Sequence, residues 1–299
     1  EIRVEPPRVR WKILDAWQAA AAQVGIAPID EFNRGDNAGS AYFHVNQRRG
    51  RRWSMADAFL HPIAHRPNLT VYTDTQAVKL LMDDEVRADQ RSGAWTTARH
   101  RATGVRLRKD GRLVDVHARR EVILCGGAIN SPQLLMLSGI GPREHLAEHG
   151  IDVVHDAPGV GSNLLDHLVV LLGFDAHCET LISAEKPVQL LNYLARRRGM
   201  LTSNVGEAYG FVRSDPELAQ PDIELIFAPA PFFDEGLGDA YPRDAVAMGP
   251  ILVKPKSTGT IRLASADPLA KPIIDPRYLS DPEGADRKAL LAGLRMLAG

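Results

Sequence analysis

Apolar positions at Ile13, Leu14 and Trp17 recur at helical spacing between Val9 and Val24 and stop near Gly25, which predicts an amphipathic helix. Ser54, three residues before Asp57, predicts the start of a second, short helix, the aspartate standing in for the glutamate or glutamine of a capping box. Leu69–Thr73 and Ala77–Met82 read as strands, and the polar stretch Asp83–His100 reads as a loop insertion. Gly104–Arg108 and Leu113–Ala118 then flank Lys109-Asp110-Gly111-Arg112, a hairpin signal because glycine after aspartate fits the positive φ of a tight turn. Val122–Leu124 is a short apolar run ending at Gly126-Gly127, the pattern of a strand buried on both faces. A helix follows, with Ser131 as its N-cap, Pro132 at its first position and Leu134, Leu135 and Leu137 as its apolar face. From about Leu168 the pattern changes to longer connections between separated strands, among them Ile223–Phe227, Ala245–Val253 and Thr260–Leu263, and a domain change is placed there.

Charge removes several classes of partner. Lys+Arg 36 against Asp+Glu 37 leaves a net charge of -1, so no global field draws the 299-residue chain to nucleic acid or an anionic membrane. Two local clusters, Arg48-Arg49-Gly50-Arg51-Arg52 and Arg196-Arg197-Arg198, read either as solvated basic segments or as phosphate or lipid contacts. No apolar run is long enough to span a bilayer and no signal peptide is visible. Cys125 and Cys178 form no CxxC, which suits a reducing cytoplasm; the arginine clusters leave a membrane-peripheral location open.

Two constellations carry candidate chemistry. The glycines at 126 and 127 let a ligand approach the backbone, and the helix start beyond them offers unpaired N–H groups. His145-Leu-Ala-Glu148-His149 has the H-x-x-E-H spacing in which two histidines one turn apart share zinc and the glutamate acts as base, a hydrolase reading. Against it, the segment between Gly141-Pro142 and Gly150 allows only about two helical turns. His61 and His65 have similar spacing, but Pro62 and Pro67 make that segment a poor metal helix.

A longer pattern reaches further. Gly127-Ala-Ile-Asn-Ser131-Pro132-Gln-Leu-Leu-Met-Leu-Ser138-Gly139-Ile-Gly141 resembles the second signature of the glucose-methanol-choline (GMC) oxidoreductases, and Pro158-Gly-Val-Gly161-Ser-Asn163-Leu-Leu-Asp166-His167 is similar to their PGVGxNLQDH, with Leu165 where glutamine is usual. Gly50 to Pro62, Arg66 to Val71, Ser257 to Pro268 and Ile274 to Pro282 resemble further segments, so the likeness covers most of the chain. No G-x-G-x-x-G occurs, and the chain stops at Gly299 before the family's segment with the catalytic histidine; both ends read as cuts through a longer protein.

The resemblance implies a mixed α/β and α+β fold. Residues 1–167 would form a partial FAD-binding, Rossmann-like domain, and residues 168–299 a substrate domain on a largely antiparallel sheet with helices. It implies FAD as cofactor, with the Ala77 backbone on the adenine edge, Gly126, Gly127 and Ala128 along the ADP half, and Asn163 in a loop near the flavin. Asp166 and His167 would be structural. Glu207 lies where related sequences enter the substrate cavity; it would either face a cationic alcohol such as choline or form a salt bridge or outward carboxylate. The implied activity is oxidation of an alcohol to an aldehyde or ketone, by a choline-like or general alcohol dehydrogenase rather than an oxidase. The electron acceptor is left open, and this piece alone would be inactive. A zinc hydrolase and a non-catalytic binding remnant stand as the alternatives.

Overall fold

The computed structural model describes residues 1–88, 95–232 and 241–298. In chain order its principal elements are helix α1 (Lys12–Gln23), strands β1 (Gly39–Tyr42), β2 (Thr75–Ala88), β3 (Trp95–Lys109) and β4 (Arg112–His117), and helices α2 (Gly127–Leu137) and α3 (Arg143–Glu148). Strands β5 (Ser162–Leu164) and β6 (Leu172–Asp175), helix α4 (Pro187–Arg196), strands β7 (Ala208–Val212), β8 (Ile223–Ala228), β9 (Ala245–Leu252), β10 (Gly259–Arg262) and β11 (Ile273–Asp275), and helix α5 (Ala285–Ala298) complete it.

The chain packs as two units, each assembled from separated segments: residues 1–69 with 167–256 and 281–299, and residues 70–166 with 257–280. A contiguous split into 1–167 and 168–299 therefore does not describe the packing. Linear reading cannot see that β1 pairs antiparallel with β7, Gly39 opposite Phe211 and Tyr42 opposite Ala208.

In the first unit the strands run β1-β7-β8-β9-β6, all antiparallel. Alternate residues of β7 and β8 are buried, as period-2 patterning over a half-covered sheet requires. Val212, Ile223, Leu225 and Leu252 pack with Ala289 and Leu290 of α5, and Ala208, Phe227 and Val246 pack with Leu14 of α1 and the preceding Trp11. Helix α5 rides close on the sheet: a Cβ on Gly293 would stand 2.6 Å from Pro250 Cβ, so only glycine allows that approach. Ser54 and Asp57 form the reciprocal cap, Asp57 N donating to Ser54 Oγ at 3.2 Å and Ser54 N to Asp57 Oδ2 at 3.1 Å.

The second unit is built on the meander β2-β3-β4, with a small sheet β11-β10-β5 and helices α2 and α3. Its turn at Asp110 (φ 49°) and Gly111 (φ 76°) has both central residues left-handed, as a two-residue hairpin demands. The stretch read as a loop at Asp83–His100 is in large part strand: β2 runs on to Ala88 and β3 starts at Trp95, with Asp83 opposite Arg101. Asp83 and Arg101 bring opposite charges into register, which favours that pairing. Residues 89–94 of that stretch lie outside the described ones.

Three further local expectations are corrected. Leu69–Thr73 is irregular, with Val71 and Tyr72 exposed, because among the described residues no strand pairs with it. Val122–Leu124 forms no ladder among the described residues, and Ile123 is 72% exposed; a parallel strand exists only through its neighbours. Helix α2 begins at Gly127, not after Ser131, and Pro132 lies inside it. The proline removes the donor that would reach the Ala128 carbonyl, one lost bond within an otherwise continuous helix.

Candidate functional site

The second unit holds a cavity of about 450 Å³ lined by Gln76 and Ala77 of β2, Gly104, Val105 and Leu107 of β3, Val116 of β4, the segment from Glu121 to Gly126, and Asn130 and Ser131 of α2. Its position follows from three local features. Pairing between β2 and β3 shifts between Ala77 and Lys79, a bulge beside which Val78 is buried. Ser138, fully buried after α2, accepts from Leu80 N at 2.8 Å and donates to the Leu134 carbonyl at 2.6 Å, locking helix to strand. Met136, Leu137, Leu146 and Leu263 form the apolar cluster behind it.

Gly126 lines the cavity and Gly127 (φ 72°) opens α2, whose start no side chain caps. The exposed first turn therefore presents N–H groups that no side chain among the described residues caps, and the positive end of the helix dipole. A Cβ on Gly127 would meet nothing within 4 Å, so the space in front of that backbone is open. Ala77 and Gly126 thus share one wall set, whereas Gly127 and Ala128 stand beside it at the helix start. Asn163 is not part of the cavity: exposed and left-handed (φ 57°), it follows a loop held by Arg262, which donates to the Gly161 carbonyl at 2.6 Å.

Cavity chemistry tests which part of a dinucleotide these residues suit. The lining is apolar at Val105, Leu107, Val122, Leu124 and Leu134, its ionisable side chains are His117, Glu121 and Cys125, and it contains no lysine or arginine. It fits the flat, neutral adenine half of FAD, with the α2 start as the nearest anion-favouring element, and supplies no cation for the pyrophosphate.

Glu207 belongs to the first unit and, among the described residues, is neither outward nor salt-bridged. Its side chain is fully buried; Oε1 accepts from Ser203 Oγ, and Oε2 has no hydrogen-bond partner among the described residues. Burial raises its pKa, against the pull of Ser203 and of the nearby Trp11 indole, whose N–H misses hydrogen-bond geometry. Val205 beside it carries φ 77°, which for a β-branched residue is backbone strain, and its N–H donates to Ser203 Oγ at 2.9 Å. Sequence reasoning missed Glu224 on β8, whose carboxyl is pushed up to about 7 by burial alone. An acidic residue within an alternating strand was the signal available.

The histidine pair on α3 is built into the fold. His145 Nε2 accepts the Leu263 N–H at 3.0 Å, its Nδ1 lies 3.5 Å from Glu148 Oε2, and its ring meets that of His149 edge-on. With one nitrogen lone pair committed to the backbone, the H-x-x-E-H spacing is a packing arrangement on a six-residue helix. Among the described residues no cluster of three metal-ligating side chains occurs. Asp166 accepts from the Tyr278 hydroxyl, a structural contact.

An antiparallel meander, a glycine-opened helix and a helix-backed antiparallel sheet, with a cavity beside the helix start, define a mixed α/β and α+β architecture. Comparison with known proteins fixes the family: the GMC oxidoreductase N-terminal model matches residues 1–169 and the C-terminal model residues 255–298, and the chain belongs to the GMC oxidoreductases. It is 56% identical over 283 residues to an uncharacterised GMC-type oxidoreductase of Mycobacterium tuberculosis, covering 95% of this chain and 50% of the relative. An alcohol dehydrogenase [acceptor] of Pseudomonas putida is 40% identical over 289 residues (93% and 48%), and choline oxidase of Arthrobacter globiformis 35% over 285 residues (92% and 46%). The crystal structure of pyridoxine 4-oxidase from Mesorbium loti superposes with a TM-score of 0.80 at 25% identity, covering 99% of this chain and 53% of that one. The chain spans about half the length of the curated relatives it matches. Members of the family are FAD-dependent oxidoreductases.

Proposed function

We propose that this chain is a portion of an FAD-dependent enzyme oxidising the CH–OH group of a small alcohol to a carbonyl, a dehydrogenase in preference to an oxidase. In this reading the second unit holds the adenine half of the cofactor and the first unit contributes Glu207 to substrate binding. The observation that carries it is the cavity in which Ala77 and Gly126 meet beside the open start of α2. When bound, FAD supplies the acceptor for hydride from the alcohol carbon. Backbone groups at Ala77 would pair with the adenine edge, Gly126 to Ala128 would let the ADP pass close to the chain, and Asn163 would hold the loop near the flavin. Glu207, ionised under a cationic alcohol, would supply the counter-charge that its unpartnered Oε2 leaves available.

The test is reconstitution. Joined to the segments encoded on either side of it, the chain should bind FAD and oxidise alcohols with an artificial acceptor, while the 299-residue chain alone shows no turnover. Flavin-free protein from the extended polypeptide, or flavin bound without alcohol oxidation, would overturn the reading.

A further inference from the structure

We propose that the outward face of α4, together with the two arginine clusters that meet at its C-terminal end, docks on an anionic lipid bilayer surface. The helix is seated the reverse way from an ordinary surface helix. Val188, Leu190, Leu191 and Leu194 are 61%, 51%, 66% and 59% exposed, and none of its ten residues is buried. At helical spacing these four side chains fall within an arc of roughly 160°. Its polar arc faces its own unit: Asn192 Nδ2 donates to the Arg198 carbonyl at 3.2 Å, and Gly199 lies so close that a Cβ there would stand 2.5 Å from Asn192 Nδ2.

Within the helix and its C-terminal turn the charge is one-signed, the exposed Glu185 lying just before Lys186. Between Lys186 and Met200 there are four basic residues and no acidic one. The Gln47–Arg48 and Arg51–Arg52 hairpin comes up against the end of α4, because a Cβ on Gly50 would lie 2.5 Å from the Arg197 carbonyl. Arg48, Arg49, Arg51 and Arg52 thereby join Arg196, Arg197 and Arg198 in one patch, and among the described residues none of the seven forms an ion pair. Among the described residues, Arg8 beside them is acid-paired, meeting Glu5.

Aliphatic side chains ringed by arginines match an acyl boundary beneath anionic headgroups. A symmetric contact between two copies would set seven arginines against seven. The concavity along Val188, Leu191, Asn192 and Ala195 is walled by this one helix and lies wide open, so it encloses no peptide side chain. Among the described residues no helix is long and apolar enough to cross a membrane, so the docking is in-plane.

Vesicle co-sedimentation tests it on the 299-residue chain and on the polypeptide extended by its flanking segments. Both should sediment with vesicles containing about a third phosphatidylglycerol, not with pure phosphatidylcholine, and should be released by salt. Leu191→Gln with Leu194→Gln should weaken binding by roughly tenfold per leucine. Arg196→Gln with Arg198→Gln should weaken it by roughly fivefold each, only on anionic vesicles. All four positions being exposed, thermal unfolding should not change; should the leucine pair fail to fold, the arginine pair and the salt titration decide. Four results would overturn the proposal: no sedimentation, equal binding by all variants, loss with the arginine pair but not with folded leucine variants, or binding by the short chain that the extended one lacks.

Discussion

Leu263 gives its backbone N–H to Nε2 of His145 at 3.0 Å, which puts the ring proton on Nδ1, toward Glu148. A zinc ion at Nε2 would have to displace that donor. Purified chain is expected to carry no stoichiometric zinc, and His145→Ala to lower stability by about 1–2 kcal/mol by leaving the Leu263 N–H unpaired. Burial holds the His145 pKa below 6.5, so the folded state resists protonation. The associated stability is complete above pH 6.5 and is lost as pH falls through the lower folded value. One zinc per chain by metal analysis, lost on His145→Ala, sinks the prediction.

FAD should bind the isolated chain weakly or not at all. The cavity supplies apolar wall and a helix start but no lysine or arginine, and adenine contacts alone do not offset the ordering of so large and flexible a cofactor. A stoichiometric yellow flavoprotein from the 299-residue chain would contradict this.

Gly127→Val should lower flavin occupancy in the extended polypeptide. The substitution forces a β-branched residue to φ 72° and fills the open space before the α2 start. Absorbance at the flavin band per mole of protein reads the effect, and unchanged occupancy in a folded variant removes Gly127 from the cofactor path.

Glu207→Gln keeps the shape of the buried side chain and removes its charge. In the extended polypeptide it should leave flavin bound and raise KM for quaternary-ammonium alcohols while sparing neutral ones. An equal change for both classes assigns Glu207 to holding the strained Ser203 to Glu207 turn instead.

Glu224→Gln should flatten the pH dependence of stability. The folded carboxyl titrates at about 7 against 4.5 unfolded, so between those values only the unfolded state has lost its proton, and stability falls as pH rises. Above pH 7 the loss is complete, and there the glutamine variant should melt higher than the parent. Burial of Glu207 gives a slope of the same sign, so part of it should remain. Parallel Tm-against-pH curves for parent and variant would refute this.

Local chemistry was readable from the chain because it spans a few residues. The Ser54–Asp57 cap, the Asp110-Gly111 turn and the glycines before α2 each specify a backbone geometry by themselves. What escaped depends on neighbours distant in sequence. Nothing near His145 announces Leu263, and nothing near Leu80 announces Ser138. The same holds for Val122–Leu124, whose apolar run predicts a strand that the structure does not form, since a parallel strand needs strands beside it. Of the proposed cofactor residues, Ala77 and Gly126 come together at one cavity through the bulge in β2 and the Ser138 lock, neither visible in the spacing.

The pairing of β1 with β7 also sets a timetable for synthesis. Gly39 to Tyr42 leave the ribosome about 170 residues before Ala208 to Phe211, a wait of roughly ten to thirty seconds at ordinary elongation rates. Meanwhile the β2-β3-β4 meander, whose strands follow one another directly, can close as soon as it emerges. The growing chain thus carries an early strand past an already folded neighbour, and chaperone occupancy on nascent chains should peak after residue 42 and collapse once residue 212 is exposed.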